Sequence, residues 1–435
     1  MLAVLAAIGA AVSALPLSAQ AQGSDDWPSF GHDQAHSGVS PDTSPNTSNV
    51  SGLTQKWKTL VTPGSSGIVA SPVVAFNSTV GADLVYAATQ GKPAAVMAIN
   101  ATTGVPVWTF KAPGAVRDTP VVAHGVVYFG THDFKLYALD ATTGHQICTF
   151  TTTGFIESSP MVANVDGTGD VVFFGDIGTG EKHNFGHEWA VNGVGNSNGQ
   201  CTLKWSFNSF GVTLGGTRTG TWSSPSLVQD ANGRWLDVFG STNPDDSVYA
   251  LDAVAGTQVW RFATTTGGDA DVGAGPSVTA PGVNGFTDGE VYVPGKNQMF
   301  YALDLVNGTK TWSFNLKANA GSGAKSICTP AILGRNVVCP YNKFVYDLDA
   351  VNGTLTWRSA ATSAGTFVAS AAISGSSGSQ VVFAGDTVGT EHAYSLASGA
   401  SLFSFAAPPY IASSTAVAGN RIFFGSVSGY EYALG

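Results

Sequence analysis

The sequence predicts an all-β chain, an eight-bladed β-propeller with four-stranded blades, closed by an N-terminal strand that completes the last blade. Three observations carry this. Seven segments repeat one pattern: a strand resembling Tyr-Ala-Leu-Asp, a turn ending in Gly, and an anchor residue, usually Trp, four positions on. The anchors are Trp108, Cys148, Trp205, Trp260, Trp312, Trp357 and Phe403, at roughly the forty-to-sixty-residue period of propeller blades. Eight short runs of the Ser-Pro-Val-Val-Ala type, beginning at Ser71, Thr119, Ser159, Ser224, Gly275, Thr329, Ala369 and Ser413, mark eight inner strands. Finally, 54 of the 435 residues are glycine and only 11 % are charged, a composition suited to many short strands and tight turns.

From the N-terminus, residues 1–21 form an apolar stretch interrupted by Pro16 and ending in the small-residue pattern Ala19-Gln20-Ala21. They read as an export signal; an uncharged span of this length also allows a retained anchor. Residues 22–52 are an N-terminal extension, and 53–435 the propeller. Each unit divides into four strands, as in SPVVA from Ser71, LVYAAT from Leu84, then the Tyr-Ala-Leu-Asp-like and Trp-bearing strands. The eighth unit stops at YEYALG without an outer strand. The segment Leu53–Val61, with Trp57 as its anchor, supplies the missing one, which removes an open sheet edge. The outer Trp of each unit is expected to cover the next blade, burying ~150–250 Å².

The net charge of −10 supplies no basic face for phosphates, so nucleic acid is not an expected partner. Four cysteines in an exported chain are free to pair. Cys328 and Cys339 flank a hairpin, and Cys148 and Cys201 lie near the outer edges of neighbouring repeats. No CxxC or CxxCH occurs, so neither a zinc ribbon nor covalent c-type haem is encoded. Asn46, Asn49, Asn77, Asn100, Asn307 and Asn352 stand in glycosylation sequons, which matter only in a eukaryotic source.

The chain resembles the pyrroloquinoline quinone (PQQ) repeat proteins, and more closely the quinoprotein alcohol dehydrogenases, in a branch similar to polyvinyl-alcohol dehydrogenases. The likeness begins at WPSFGHDQAHSG (Trp27 to Gly38), continues through the repeats and is sharpest from Glu181 to Lys296. The repeats alone are shared with non-catalytic scaffold propellers. More specific is the run from Gly220 to Asp252, GTWSSPSLVQDANGRWLDVFGSTNPDDSVYALD. The resemblance implies that Trp222 stacks under the quinone and that Asn243 binds the metal; the plainer readings are inter-blade packing for Trp222 and an Asn-Pro turn for Asn243. It also implies a metal-binding role for Glu181 in DIGTGEKH. One of Asp269 and Asp271, in GGDADVGAGPS, matches the catalytic aspartate: Asp269 is read as the base, with Asp271 as the alternative base or a metal ligand. Lys296 corresponds to a basic residue that binds the quinone oxygens, and Arg117 to an arginine on a cofactor carboxylate. Arg218 is a further candidate cation, by proximity to Trp222. His183 and His187, four apart, read as loop histidines, since that spacing shares a face only on a helix.

The resemblance thus implies PQQ and Ca²⁺ as cofactors, Ca²⁺ being held by hard oxygen ligands; an extra carboxylate such as Asp271 favours a lanthanide instead. The implied activity is oxidation of an alcohol, small or polymeric, with electrons passed to an external acceptor such as a cytochrome. The implied location is secreted or periplasmic. The adjacent-cysteine disulfide that caps the quinone in methanol-oxidising members is absent. The alternative function is a non-catalytic propeller that binds a protein or polysaccharide; a carbohydrate-binding propeller would show aromatic residues on an exposed face.

Overall fold

Short apolar strands with glycine turns cannot bury their side chains singly, and here they associate as twisted four-stranded antiparallel sheets. The computed structural model describes residues 26–62, 67–179, 185–208, 220–264, 270–320 and 327–435. These residues form eight four-stranded sheets, a two-stranded one pairing Gly154–Phe155 with Ile177–Gly178, and one short α-helix, Leu316–Ala320. Blade 1 comprises Val73–Asn77, Ala82–Ala88, Ala94–Asn100 and Pro106–Ala112 in sheet order. Blades 2 to 7 repeat this meander, their inner strands beginning two or three residues after the marks read from the sequence. Blade 8 is composite. Its outer strand, Gln55–Leu60, pairs antiparallel with Tyr430–Leu434, placing Trp57 opposite Ala433.

Adjacent blades are clamped by the anchor residues. In six interfaces the indole N–H donates to a carbonyl in the next blade: Trp57 to Ala101 at 2.9 Å, Trp108 to Ala141 at 3.0 Å, Trp205 to Ala253 at 3.0 Å, Trp260 to Leu305 at 2.8 Å, Trp312 to Ala350 at 2.9 Å and Trp357 to Leu396 at 2.7 Å. The receiving turn needs glycine. At Gly308, for example, φ is 70°, and an added Cβ would stand 2.6 Å from the Trp260 ring. The Asp closing the Tyr-Ala-Leu-Asp strand shapes the same turn. Asp140 Oδ1 accepts the N–H groups of Thr142 and Thr143 at 3.0 and 2.8 Å, an Asx-type arrangement.

Two interfaces depart from this. Between blades 2 and 3 the anchor is Cys148, disulfide-bonded to Cys201, so a covalent clamp replaces the indole. Between blades 7 and 8 the anchor is Phe403. Blade 8 takes its third and outer strands from opposite ends of the sequence, so no glycine turn joins them to receive a Trp. Phe403 packs instead against the cluster containing Val50, Leu53 and Trp57. The second expected disulfide, Cys328–Cys339, is also formed.

Inner strands would leave eight sheet edges around the axis, and two devices cover them. The segment 26–42 runs round the axis as a belt and meets the blades in order. Trp27 exchanges two hydrogen bonds with Val74 at 2.8 Å, and the carbonyls of Pro28, Gln34, Ala35, Ser37 and Gly38 accept from Val122, Leu227, Val278, Ile332 and Ile373. Gln34 Nε2 reaches Val162 O at 2.7 Å, and Asp42 accepts from Asn420 N–H at 2.9 Å. Above the belt, a Ser or Thr two residues ahead of the inner strand in seven blades forms a girdle. Ser71 N–H donates to Thr119 Oγ1, Thr119 to Ser159, Ser159 to Ser224, Thr329 to Ser370, Ser370 to Ser414, and Ser414 back to Ser71, at 2.8–3.0 Å. The gap falls at Gly275. His36 of the belt fills it, its Nδ1 3.1 Å from where a Cβ would stand and 3.0 Å from Pro276 O.

Carboxyl groups are also buried between blades. Glu391 accepts from Thr415 Oγ1 at 2.6 Å, while its Oε2 has no hydrogen-bond partner. Burial pushes its pKa up to about 8.

Trp312→Ala is expected to cost about 3–5 kcal/mol and Trp312→Phe less, near the ~1 kcal/mol of a lost hydrogen bond with small cavity terms, as read by thermal and denaturant unfolding. Because the folded protein holds the Glu391 proton more tightly than the unfolded chain, stability falls as pH rises from the ordinary Glu value through about 8. Glu391→Gln is therefore expected to raise the melting temperature at pH 8–9, with little change at pH 4. His36 acts oppositely: burial lowers its pKa to about 4, so it contributes a loss of stability between pH 6.5 and 4 that a neutral replacement retaining the Pro276 contact removes.

Candidate functional site

The meander places the connections between blades, and the loops between second and third strands, on one face of the ring. Turns between first and second strands fall on the other. The candidate residues that fall within the described part of the chain belong to the first, upper face. Glu181, Asp269, Arg218 and His183 lie outside the described residues. The others can be placed.

Trp222, Asn243, Asp271 and Lys296 come together from four successive loops of blades 3 to 5. Asp271 is the hub: its Oδ1 accepts the Asn243 backbone N–H at 2.6 Å and its Oδ2 pairs with Lys296 Nζ at 2.7 Å. Its backbone carbonyl accepts the Lys296 N–H at 3.0 Å, so strand-end geometry and ion pair act together. Lys296 Nζ stands 4.8 Å from the centre of the half-buried Trp222 ring, a cation–π contact. A Cβ at Gly273 would overlap the indole, 2.0 Å from its Cζ2, so glycine lets the backbone lie directly against the ring. The Asn243 side chain contacts Asp246, Nδ2 to Oδ2, at 3.3 Å.

Arg117 stands apart, in the connection between blades 1 and 2. It donates to Gln90 at 2.8 Å and to Glu157 at 3.0 Å, and Glu157 also pairs with His132 at 2.9 Å. Burial pushes the Glu157 carboxyl up, but the His132 and Arg117 contacts outweigh it and hold the pKa below the ordinary value. His187 Nδ1 lies 3.2 Å from Thr153 Oγ1, and its backbone N–H donates to buried Asp176 at 2.6 Å.

Sequence reasoning missed a group of buried acids beside Trp222. Asp176 accepts from Thr153 N–H at 2.9 Å and Oγ1 at 2.8 Å, and its carbonyl accepts from Thr221 N–H at 3.1 Å. Glu188 and Asp237, wholly buried, have side-chain oxygens without hydrogen-bond partners. Burial raises both pKa values well above the usual carboxylate range, and Asp237 and then Asp176 raise Glu188 further. The signal was present: Glu188 occupies the strand position held by Leu136, Val248 and Phe300 in three other blades and by Glu391 and Glu431 in two more, and Asp237 that of Val127. Acids at apolar positions of the repeat were the mark. Among the described residues no group of three or more His, Cys, Asp or Glu side chains has a metal-holding arrangement.

Fold and loop face together define an eight-bladed propeller of the PQQ-repeat class. The chain belongs to the PQQ_2 family, whose model is described as outer membrane protein assembly factor BamB and matches residues 48–181 and 244–432. The unmatched stretch between them contains Trp222 and Asn243. No curated protein matches the chain. Among solved structures, it is similar to a quinohemoprotein alcohol dehydrogenase from Comamonas testosteroni, with 18 % identity, 94 % of this chain and 80 % of that chain covered, and a TM-score of 0.74. A europium-containing methanol dehydrogenase gives 16 %, 92 %, 90 % and 0.73, and BamB from Moraxella catarrhalis 16 %, 88 %, 99 % and 0.58. At such identities the likeness establishes the fold.

Replacing Asp237 by Asn is expected to raise the melting temperature above pH 7 and to flatten its decline with pH, because the charge that repels Glu188 can no longer form. An unchanged pH–stability profile would contradict the reading of these acids as protonated in the folded state.

Proposed function

We propose that the protein is a PQQ-dependent alcohol dehydrogenase whose site lies on the upper face. One observation carries the reading: an indole face, an ammonium group, a carboxylate and an asparagine, drawn from four separate loops, meet at Trp222, Lys296, Asp271 and Asn243. This donor set suits a planar, anionic quinone. Trp222 offers a flat apolar surface, kept open to the backbone by Gly273, and Lys296 offers positive charge where quinone oxygens gain electron density. Arg117, across the ring, would meet a cofactor carboxylate.

PQQ, when bound, supplies the hydride acceptor for alcohol oxidation. Asn243, Asp271 and Glu181 would hold Ca²⁺, or a lanthanide, through hard oxygen ligands. Asp269 is assigned as the base that takes the alcohol proton, with Asp271 the alternative; the Lys296 ion pair and the Asn243 N–H fix the orientation of Asp271 in either role. Residues 1–21 as an export signal and the two disulfides support a secreted or periplasmic protein, handing electrons to an external acceptor such as a cytochrome. The substrate is a small or polymeric alcohol. A second reading, a non-catalytic scaffold propeller, is favoured by the BamB description of the family model and by the similarity to the BamB structure.

Titration of the purified protein with PQQ plus Ca²⁺, and separately plus a lanthanide, is expected to show stoichiometric binding by cofactor absorbance and alcohol-dependent reduction of an artificial acceptor. Lys296→Ala should weaken PQQ binding about tenfold or more, charge-assisted hydrogen bonds being worth ~1.5–3 kcal/mol. Asn243→Ala should abolish turnover. Absence of PQQ binding with either metal leaves the scaffold reading.

A further inference from the structure

A cavity of about 880 Å³ opens at the lower mouth of the ring, between the belt and the hairpins joining the inner two strands of the first blades. It lies on the face opposite Trp222, with belt and girdle closing the axis between them. Its volume falls in the ~300–1,000 Å³ range of small-molecule sites. Its lining combines aromatic faces and polar groups but, among the described residues, includes no Lys or Arg. An anionic ligand would find no cation there.

Three carboxylates line it, and each is engaged by the protein. Asp26 accepts the Phe76 N–H at 3.0 Å. Asp33 accepts the Ala35 and Ser37 N–H groups at 3.0 Å. Both oxygens of Asp170 face His124 Nδ1, at 3.0 and 2.8 Å. Carboxylates held this way are less available to an incoming cation. What the wall offers is ring surface and neutral hydrogen-bonding capacity. Phe76 is 39 % exposed, Trp235 is half-buried, and His124 and Gln229 are exposed. An aromatic face takes the C–H side of a sugar ring, while amide and imidazole edges take its hydroxyls.

We propose that this cavity binds a neutral oligosaccharide, at a site distinct from the PQQ site and independent of whether that site is catalytic. The test is calorimetric titration of the full-length protein with cellohexaose and maltohexaose, which separate β- from α-linked chains, and with spermidine as a cationic competitor. At least one hexasaccharide is expected to bind. Phe76→Ala and His124→Ala should each weaken it about tenfold, the order of one lost ring contact or one lost hydrogen bond, while Trp222→Ala on the opposite face leaves it unchanged. Circular dichroism melts confirm that the variants fold. Tighter binding of spermidine than of either sugar overturns the proposal, as does failure of both sugars to bind. Sugar binding lost in Trp222→Ala but kept in Phe76→Ala assigns the sugar to the other face and also overturns it.

Discussion

The indole of one blade docked on the glycine turn of the next is the contact on which the rest of the molecule depends. A blade alone is a small twisted sheet with two apolar faces, and it becomes stable only when both are covered. The clamp fixes the spacing and rotation at which this happens. It joins a large apolar surface to one directional hydrogen bond, so it sets geometry as well as adhesion. Its two exceptions follow from the same logic. Cys148 ties its neighbour covalently, and Phe403 meets a blade with no turn for an indole to occupy.

Once the blades are set, the axis becomes the problem, because eight inner strands converge there with unpaired backbone groups. The belt answers with backbone hydrogen bonds and the girdle with hydroxyls. The interruption at Gly275 shows how closely the two are matched, since the missing hydroxyl and the imidazole of His36 occupy one space. Closing the axis separates the mouths of the ring. The upper face keeps the Trp222–Asp271–Lys296 cluster, and the lower face keeps a large cavity of different character.

Much of this was legible in the residues. The eight inner-strand marks gave blade number, the repeated Gly and Trp gave the period because both are demanded by one contact, and the missing outer strand of the eighth unit pointed to Leu53–Val61 with Trp57 as its anchor. The Ser and Thr of the inner-strand marks were visible as a pattern, but their girdle was not, since it arises only when the ring closes and brings Ser414 to Ser71. The belt left no periodic trace, since the blades it meets in turn are reached at uneven intervals along it, from Trp27 to Asp42. At the upper face, the pairing of Asp271 with Lys296 joins residues 25 apart through strand-end geometry that spacing does not express. Glu188 and Asp237 were hidden differently, as two acids at unremarked apolar positions whose meaning appears only when neighbouring blades face each other.

The composite eighth blade also orders events in time. The strand Gln55–Leu60 cannot find its place until Tyr430–Leu434 exists, and the belt cannot be seated until the inner strands it touches have formed. The segments made first on the ribosome are therefore the last to dock. Until then the nascent chain has no closed ring, only an incomplete row of blades with its seam open.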